Sequence, residues 1–68
     1  MSVARVSEIT ATSPDSFDAA IAAGLARANK TLRNVRSAWI KEQYVRVAED
    51  GTVAEYQVNM LITFILED

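Results

Sequence analysis

The stretch Thr52-Val53-Ala54-Glu55-Tyr56-Gln57-Val58-Asn59-Met60-Leu61-Ile62-Thr63-Phe64-Ile65-Leu66 decides the fold. One parity, Ala54, Tyr56, Val58, Met60, Ile62, Phe64 and Leu66, is apolar without a break. Side chains on a strand alternate between two faces, so this period marks a strand with one fully apolar face. The other parity reads Val53, Glu55, Gln57, Asn59, Leu61, Thr63, Ile65 and Glu67. It is polar in the middle, yet Leu61 and Ile65 are side chains that a free surface does not favour. Upstream, Glu49-Asp50-Gly51-Thr52 is a turn, since Asp-Gly is a strong short hairpin signal. Before it Val35 to Ala48 is rich in valine, isoleucine, tyrosine and tryptophan and reads as the partner strand. Both arms exceed the usual strand of about 5 to 6 residues.

The apolar face needs a cover, and the sequence supplies one. From Pro14 to about Leu32, Phe17, Ile21, Leu25, Ala28 and Leu32 recur at spacings of three and four, which predicts an amphipathic helix. Alanines at 19, 20, 22, 23, 26 and 28 raise helix propensity and permit close approach of a neighbour. Gly24, inside this pattern, is explained by close packing. Ser13 before Pro14 predicts a capping serine followed by proline as the first helical residue, with Asp15 and Asp18 in the first turns. Val3 to Thr10 is a short candidate strand, although the spacing of Val3, Val6 and Ile9 suits a helix equally well. The expected class is α+β in the order β-α-β-β, as a single domain over residues 1–68. One helix cannot cover both faces of the sheet, so the second face is expected to be a subunit contact, with Gln57 and Asn59 lining it.

Composition narrows the function. The chain has 68 residues, no cysteine and no histidine. Disulfides and the usual structural zinc sites are therefore excluded, and so small a core needs a staple, which leaves oligomerisation. Histidine-based nucleophilic triads are excluded as well. With only two glycines, neither a Walker loop nor a dinucleotide fingerprint can be written. No enzyme is expected. The net charge of −2 argues against a general nucleic-acid binder. Arg27, Lys30, Arg33, Arg36 and Lys41 nevertheless cluster. Arg27 and Lys30 complement the negative end of the helix, and the alternative for the cluster is an anion site. Met1 to Thr10 lacks a leader pattern and no stretch approaches the roughly 18 apolar residues of a membrane span. A cytoplasmic location is expected.

The chain resembles the dodecins, small flavin-binding proteins that assemble as hollow dodecamers. The likeness runs from Thr12-Ser13 leading into a helix with Phe17, Ala20 and Ile21, through Ala28-Asn29-Lys30-Thr31-Leu32-Arg33-Asn34-Val35 and Glu42-Gln43. It ends with Glu55-Tyr56-Gln57-Val58 and Phe64-Ile65-Leu66-Glu67-Asp68. The resemblance implies a three-stranded antiparallel sheet wrapped partly around one helix, a homododecamer, and storage of non-covalent FMN or riboflavin rather than turnover. In similar proteins stacked flavins lie between tryptophans, with a glutamine at the ring edge.

Carried over residue by residue, the resemblance assigns the glutamine role to Gln57, whose amide can donate and accept. It places the usual stacking tryptophan at Ser37, whereas this chain has Trp39, two positions on and on the same strand face. Either Trp39 covers a flavin from a displaced position, or it fills the interface and flavin binding is weakened or lost. Tyr44 and Arg46 fall where similar proteins hold the ribityl or phosphate part. Arg46 bonds a phosphate, or pairs with Glu55 across the hairpin. No loop has the ligand spacing of a dedicated calcium site, and no metal ligands are assigned. The alternative implied by Ser37 is a shell of the same fold that is structural or holds a cation or a nucleotide-like cofactor.

Overall fold

The computed structural model describes residues 2–67. Strand β1 (Val3–Ser13) is followed by helix α1 (Phe17–Thr31), then by the hairpin of β2 (Val35–Val47) and β3 (Val53–Leu66). The sheet is antiparallel with order β1-β3-β2, so the alternating stretch is the central strand. The expected β-α-β-β α+β class, one helix on a three-stranded antiparallel sheet, is what the chain adopts.

The apolar parity of β3 faces the helix. Val58, Met60 and Ile62 are completely buried, together with Ala20 of the helix, and Ile9, Ala11, Phe17, Ile21, Leu25, Leu32, Val35, Ala38 and Ile40 pack around them. Phe17 meets Tyr56 edge-on, with centroids 5.0 Å apart and an interplanar angle of 78°, a favoured aromatic geometry. Gly24 is buried at the crossing of α1 over β1 and β3. A Cβ there would overlap Met60 Cε and lie 3.1 Å from Ala11 Cβ, so close packing accounts for the glycine.

The two ends of the helix are closed by different groups. Strand β1 runs on to Ser13, and the helix begins at Phe17. The cap is Ser16, whose Oγ accepts from Ala19 N at 2.9 Å; it is neither Ser13 nor a helix opened by Pro14. Ser13 is buried and its hydroxyl accepts from Asp15 N at 3.0 Å, closing the turn between strand and helix. Proline fixes only its own φ and restricts the residue before it, and two turn residues separate it from the helix. Asp18 occupies the first turn, and Lys30 the last. Beyond the helix Asn34 has φ of 60°, a left-handed conformation that asparagine tolerates better than most residues. Its carbonyl accepts from Ile65 N at 3.1 Å, and its amide donates to Glu67 Oε1 at 2.7 Å.

At the far tip Gly51 has φ of 89°. Asp50 Oδ1 accepts from Thr52 N at 3.0 Å and from Thr52 Oγ1 at 2.7 Å. The molecule is a slab 52 × 19 × 13 Å with a radius of gyration of 14.1 Å, whereas a compact chain of this length has about 11 Å. It exposes 4977 Å², against about 4250 Å² expected for a folded monomer of 7.5 kDa. The long hairpin therefore leaves sheet surface that this chain does not cover.

Candidate functional site

The uncovered surface is the second face of the sheet, and its layout follows from the strand registers. In β1, Thr12, Thr10, Glu8 and Val6 pair with Gln57, Asn59, Leu61 and Thr63 of β3. On the other side Tyr44, Glu42, Trp39 and Ser37 pair with the same four residues. Four rows result: Thr12–Gln57–Tyr44, Thr10–Asn59–Glu42, Glu8–Leu61–Trp39 and Val6–Thr63–Ser37.

A plain strand could not place Ser37 and Trp39 on one face with Tyr44 and Arg46, because their parities differ. The register shifts between Ile40 and Glu42, so Lys41 is an extra residue and the parity changes there. All five expected site residues, Ser37, Trp39, Tyr44, Arg46 and Gln57, consequently share the open face. They do not form one cluster. Gln57 Nε2 donates to the Tyr44 hydroxyl, whereas Trp39 lies four β3 positions away, about 13 Å along the strand, and Ser37 about 20 Å. Arg46 sits toward the hairpin tip, where it pairs with Glu55 at 3.6 Å. The ion pair expected for Arg46 across the hairpin is present. Trp39 is 71% exposed, although a tryptophan carries more apolar area than any other side chain here.

Hydrogen bonds link the first two rows. Gln57 Nε2 also reaches Asn59 Oδ1 at 3.4 Å, Thr10 Oγ1 donates to Asn59 Oδ1 at 3.0 Å, and Asn59 Nδ2 donates to Glu42 Oε1 at 3.2 Å. The bulged Lys41 spans the sheet to Glu8 at 3.5 Å. Among the described residues no buried side-chain nitrogen or oxygen lacks a partner. The contributions of Thr10 and Glu8 were missed in the sequence, where Val3, Val6 and Ile9 drew attention to a spacing of three. The alternation Glu8, Thr10, Thr12 against Ser7, Ile9, Ala11 is the signal that reveals them.

A three-stranded sheet whose middle is covered by one helix on one side, and which carries a polar strip bordered by an exposed tryptophan on the other, defines a small β-α-β-β protein with one helix-covered and one open face. The dodecin family model matches residues 3–67. A curated dodecin from Thermus thermophilus is 44% identical over 61 residues, spanning 90% of this chain and 87% of that protein. The crystal structure of an arginine-to-alanine variant of the Thermus thermophilus dodecin superposes with a TM-score of 0.92 at 41% identity, covering all of both chains. The dodecin from Streptomyces davaonensis gives 0.92 at 34% identity over 98% of this chain and 97% of that one. A calcium-chelating antigen from Mycobacterium tuberculosis, described as a calcium dodecin, gives 0.82 at 29% identity over 96% and 91%. The chain belongs to the dodecin family.

Proposed function

We propose that this chain is a single-domain, cytoplasmic flavin-sequestering protein. It assembles as a hollow homododecamer and holds FMN or riboflavin non-covalently where open sheet faces meet. Storage, not turnover, is its role. The observation that carries this reading is Trp39, a large aromatic ring 71% exposed on the same open face as the amide of Gln57. Such a ring is costly to leave in water and suits a planar ligand or a neighbouring subunit. Ser37 leaves room beside it. Gln57 and Tyr44 supply hydrogen-bonding groups, and a flavin bound there would bring its own chemistry. Arg46, held by Glu55, is available at the tip to a ribityl or phosphate group. The expanded slab and its excess area support assembly into an oligomer.

The test mixes flavin-free protein with FMN and follows flavin fluorescence, with the mass in solution measured alongside. Quenching at micromolar protein in a dodecameric particle is expected. Full fluorescence at that concentration sinks the proposal. Separate Gln57→Ala and Trp39→Ala variants then divide the affinity between the amide and the ring.

A second reading is a dodecin-fold shell that holds a cation or serves structurally. Its support is the likeness to the calcium dodecin together with Ser37. Among the described residues no three carboxylates gather within one chain, so such a site would draw its ligands from several copies. It predicts a colourless, intact oligomer that leaves FMN fluorescence unchanged.

A further inference from the structure

Glu42 is exposed, and the flavin reading above gives it no part. An ionised carboxylate accepts hydrogen bonds and donates none. Asn59 therefore turns its amide nitrogen toward Glu42, at 3.2 Å, and its oxygen the other way. That oxygen receives Thr10 Oγ1 at 3.0 Å and Gln57 Nε2 at 3.4 Å. Gln57 in turn commits its nitrogen, since Nε2 donates to Asn59 Oδ1 and to the Tyr44 hydroxyl. Both of its N–H groups are then used. Among the described residues nothing donates to Gln57 Oε1, and the Tyr44 proton goes to no acceptor.

We infer that Glu42 is a positioning residue that fixes the polarity of this amide chain, so that Gln57 and Tyr44 together offer a carbonyl acceptor beside a hydroxyl donor. The ligand edge that fits such a pair is an imide: an N–H flanked by a carbonyl oxygen. Gln57 Oε1 takes the N–H, and Tyr44 donates to the adjoining carbonyl. The pyrimidine edge of an oxidised flavin has this pattern, with N3–H next to its carbonyl groups. Tyr44 thereby reads the ring edge, not the ribityl or phosphate part assigned to it by resemblance. The choice of ligand depends on a carboxylate two hydrogen bonds removed from Gln57, the residue that meets the ligand. This inference rests on the flavin reading for its ligand, but the orientation of the amides stands apart from it.

The experiment has two arms. In the first, protein carrying ¹⁵N-labelled glutamine side chains is observed without ligand. Gln43 and Gln57 are the two glutamines of the chain, and Gln43 pairs with Val58 on the other face of the sheet, so it serves as the internal reference. The Gln57 carboxamide protons are expected to exchange with solvent several-fold more slowly than those of Gln43. Glu42→Gln is expected to abolish that difference, and Glu42→Asp to restore part of it. Equal exchange for the two glutamines in the native protein overturns the relay.

In the second arm, riboflavin and N3-methyl riboflavin are titrated by fluorescence. The native protein is expected to prefer the N3–H compound by roughly tenfold, the loss of about one hydrogen bond left unmade. Tyr44→Phe should weaken riboflavin roughly three- to tenfold. Glu42→Gln should bring the two flavins close together, and a preference unchanged by that substitution overturns the positioning role. Binding of neither flavin, with Gln57 still protected, overturns the flavin reading and leaves the amide polarity established by the first arm.

Discussion

Leu61 and Ile62 are neighbours on the central strand and face opposite ways. Ile62 is completely buried under the helix, with Val58 and Met60 on the same side. Leu61 stands on the open face between Glu8 and Trp39. One face is covered at its middle by the chain's own helix, where Val58, Met60 and Ile62 form the enclosed core, while Leu66 at the end of the same parity stays exposed. The other face mixes apolar side chains with a hydrogen-bonded strip, which neither a solvated surface nor a sealed core would hold. The same strand thus serves folding with one parity and, on the proposal above, assembly and ligand binding with the other. A substitution should therefore report which of these it disturbs according to parity.

Ile62→Ala is the severest way to challenge this division. Truncating a fully buried isoleucine costs about 2–5 kcal/mol, and a core this small has little more than that to lose. Loss of cooperative thermal unfolding is expected, followed by circular dichroism. A variant that melts like the native protein would show that the helix-covered face does not hold the fold. Leu61→Lys is the matched change on the other parity. On the proposed assembly it removes about 1.5–3 kcal/mol of side-chain burial at each contact and introduces charge there. The expected outcome is a smaller particle by sedimentation with strand and helix content retained. An unchanged mass would place the subunit contact elsewhere.

The helix-covered face was legible in the sequence because it obeys one rule without interruption. The apolar parity of β3, the helical stripe of α1 and the Asp50-Gly51 turn each rest on local periodicity or local turn chemistry. The open face was legible only in part. Gln57, Trp39, Ser37, Tyr44 and Arg46 could be nominated, but their common face depends on the extra residue Lys41 in β2. A bulge reverses parity without a distinctive residue to announce it. The central place of β3, which brings Thr10 beside Asn59, is a long-range pairing that no local pattern encodes.

The boundary between β1 and α1 offers a milder test of that lesson. Two serines flank Pro14, and either has the chemistry to cap a helix. Ser16 is the one whose hydroxyl meets Ala19 N, while Ser13 holds the turn. Ser16→Ala is expected to cost about 1 kcal/mol, read as a lower midpoint in denaturant. Ser13→Ala should cost less, because Asp15 is exposed and water can take the place of the lost acceptor. The reverse order would restore Ser13 as the cap.

The smallest effect lies farthest from the helix, at the hairpin tip, where neither face is covered. The hydroxyl and the amide of Thr52 both donate to Asp50, chiefly the hydroxyl, and they hold its carboxyl below the usual aspartate range. A carboxyl whose folded pKa is depressed stabilises the fold above its unfolded value, about pH 4, and the contribution is lost as pH falls through the lower folded value. The group is fully exposed, so solvent screens it and its effect is local. Titration of the Asp50 carboxyl by NMR should show a midpoint below the ordinary aspartate value of about 4. Thr52→Val, which keeps the backbone donor and removes the hydroxyl, should raise it part of the way. The mass in solution should be the same on either side of that midpoint if the tip contributes to the turn alone. A particle that dissociates as Asp50 takes up its proton would instead extend the working surface of the open face to the end of the hairpin.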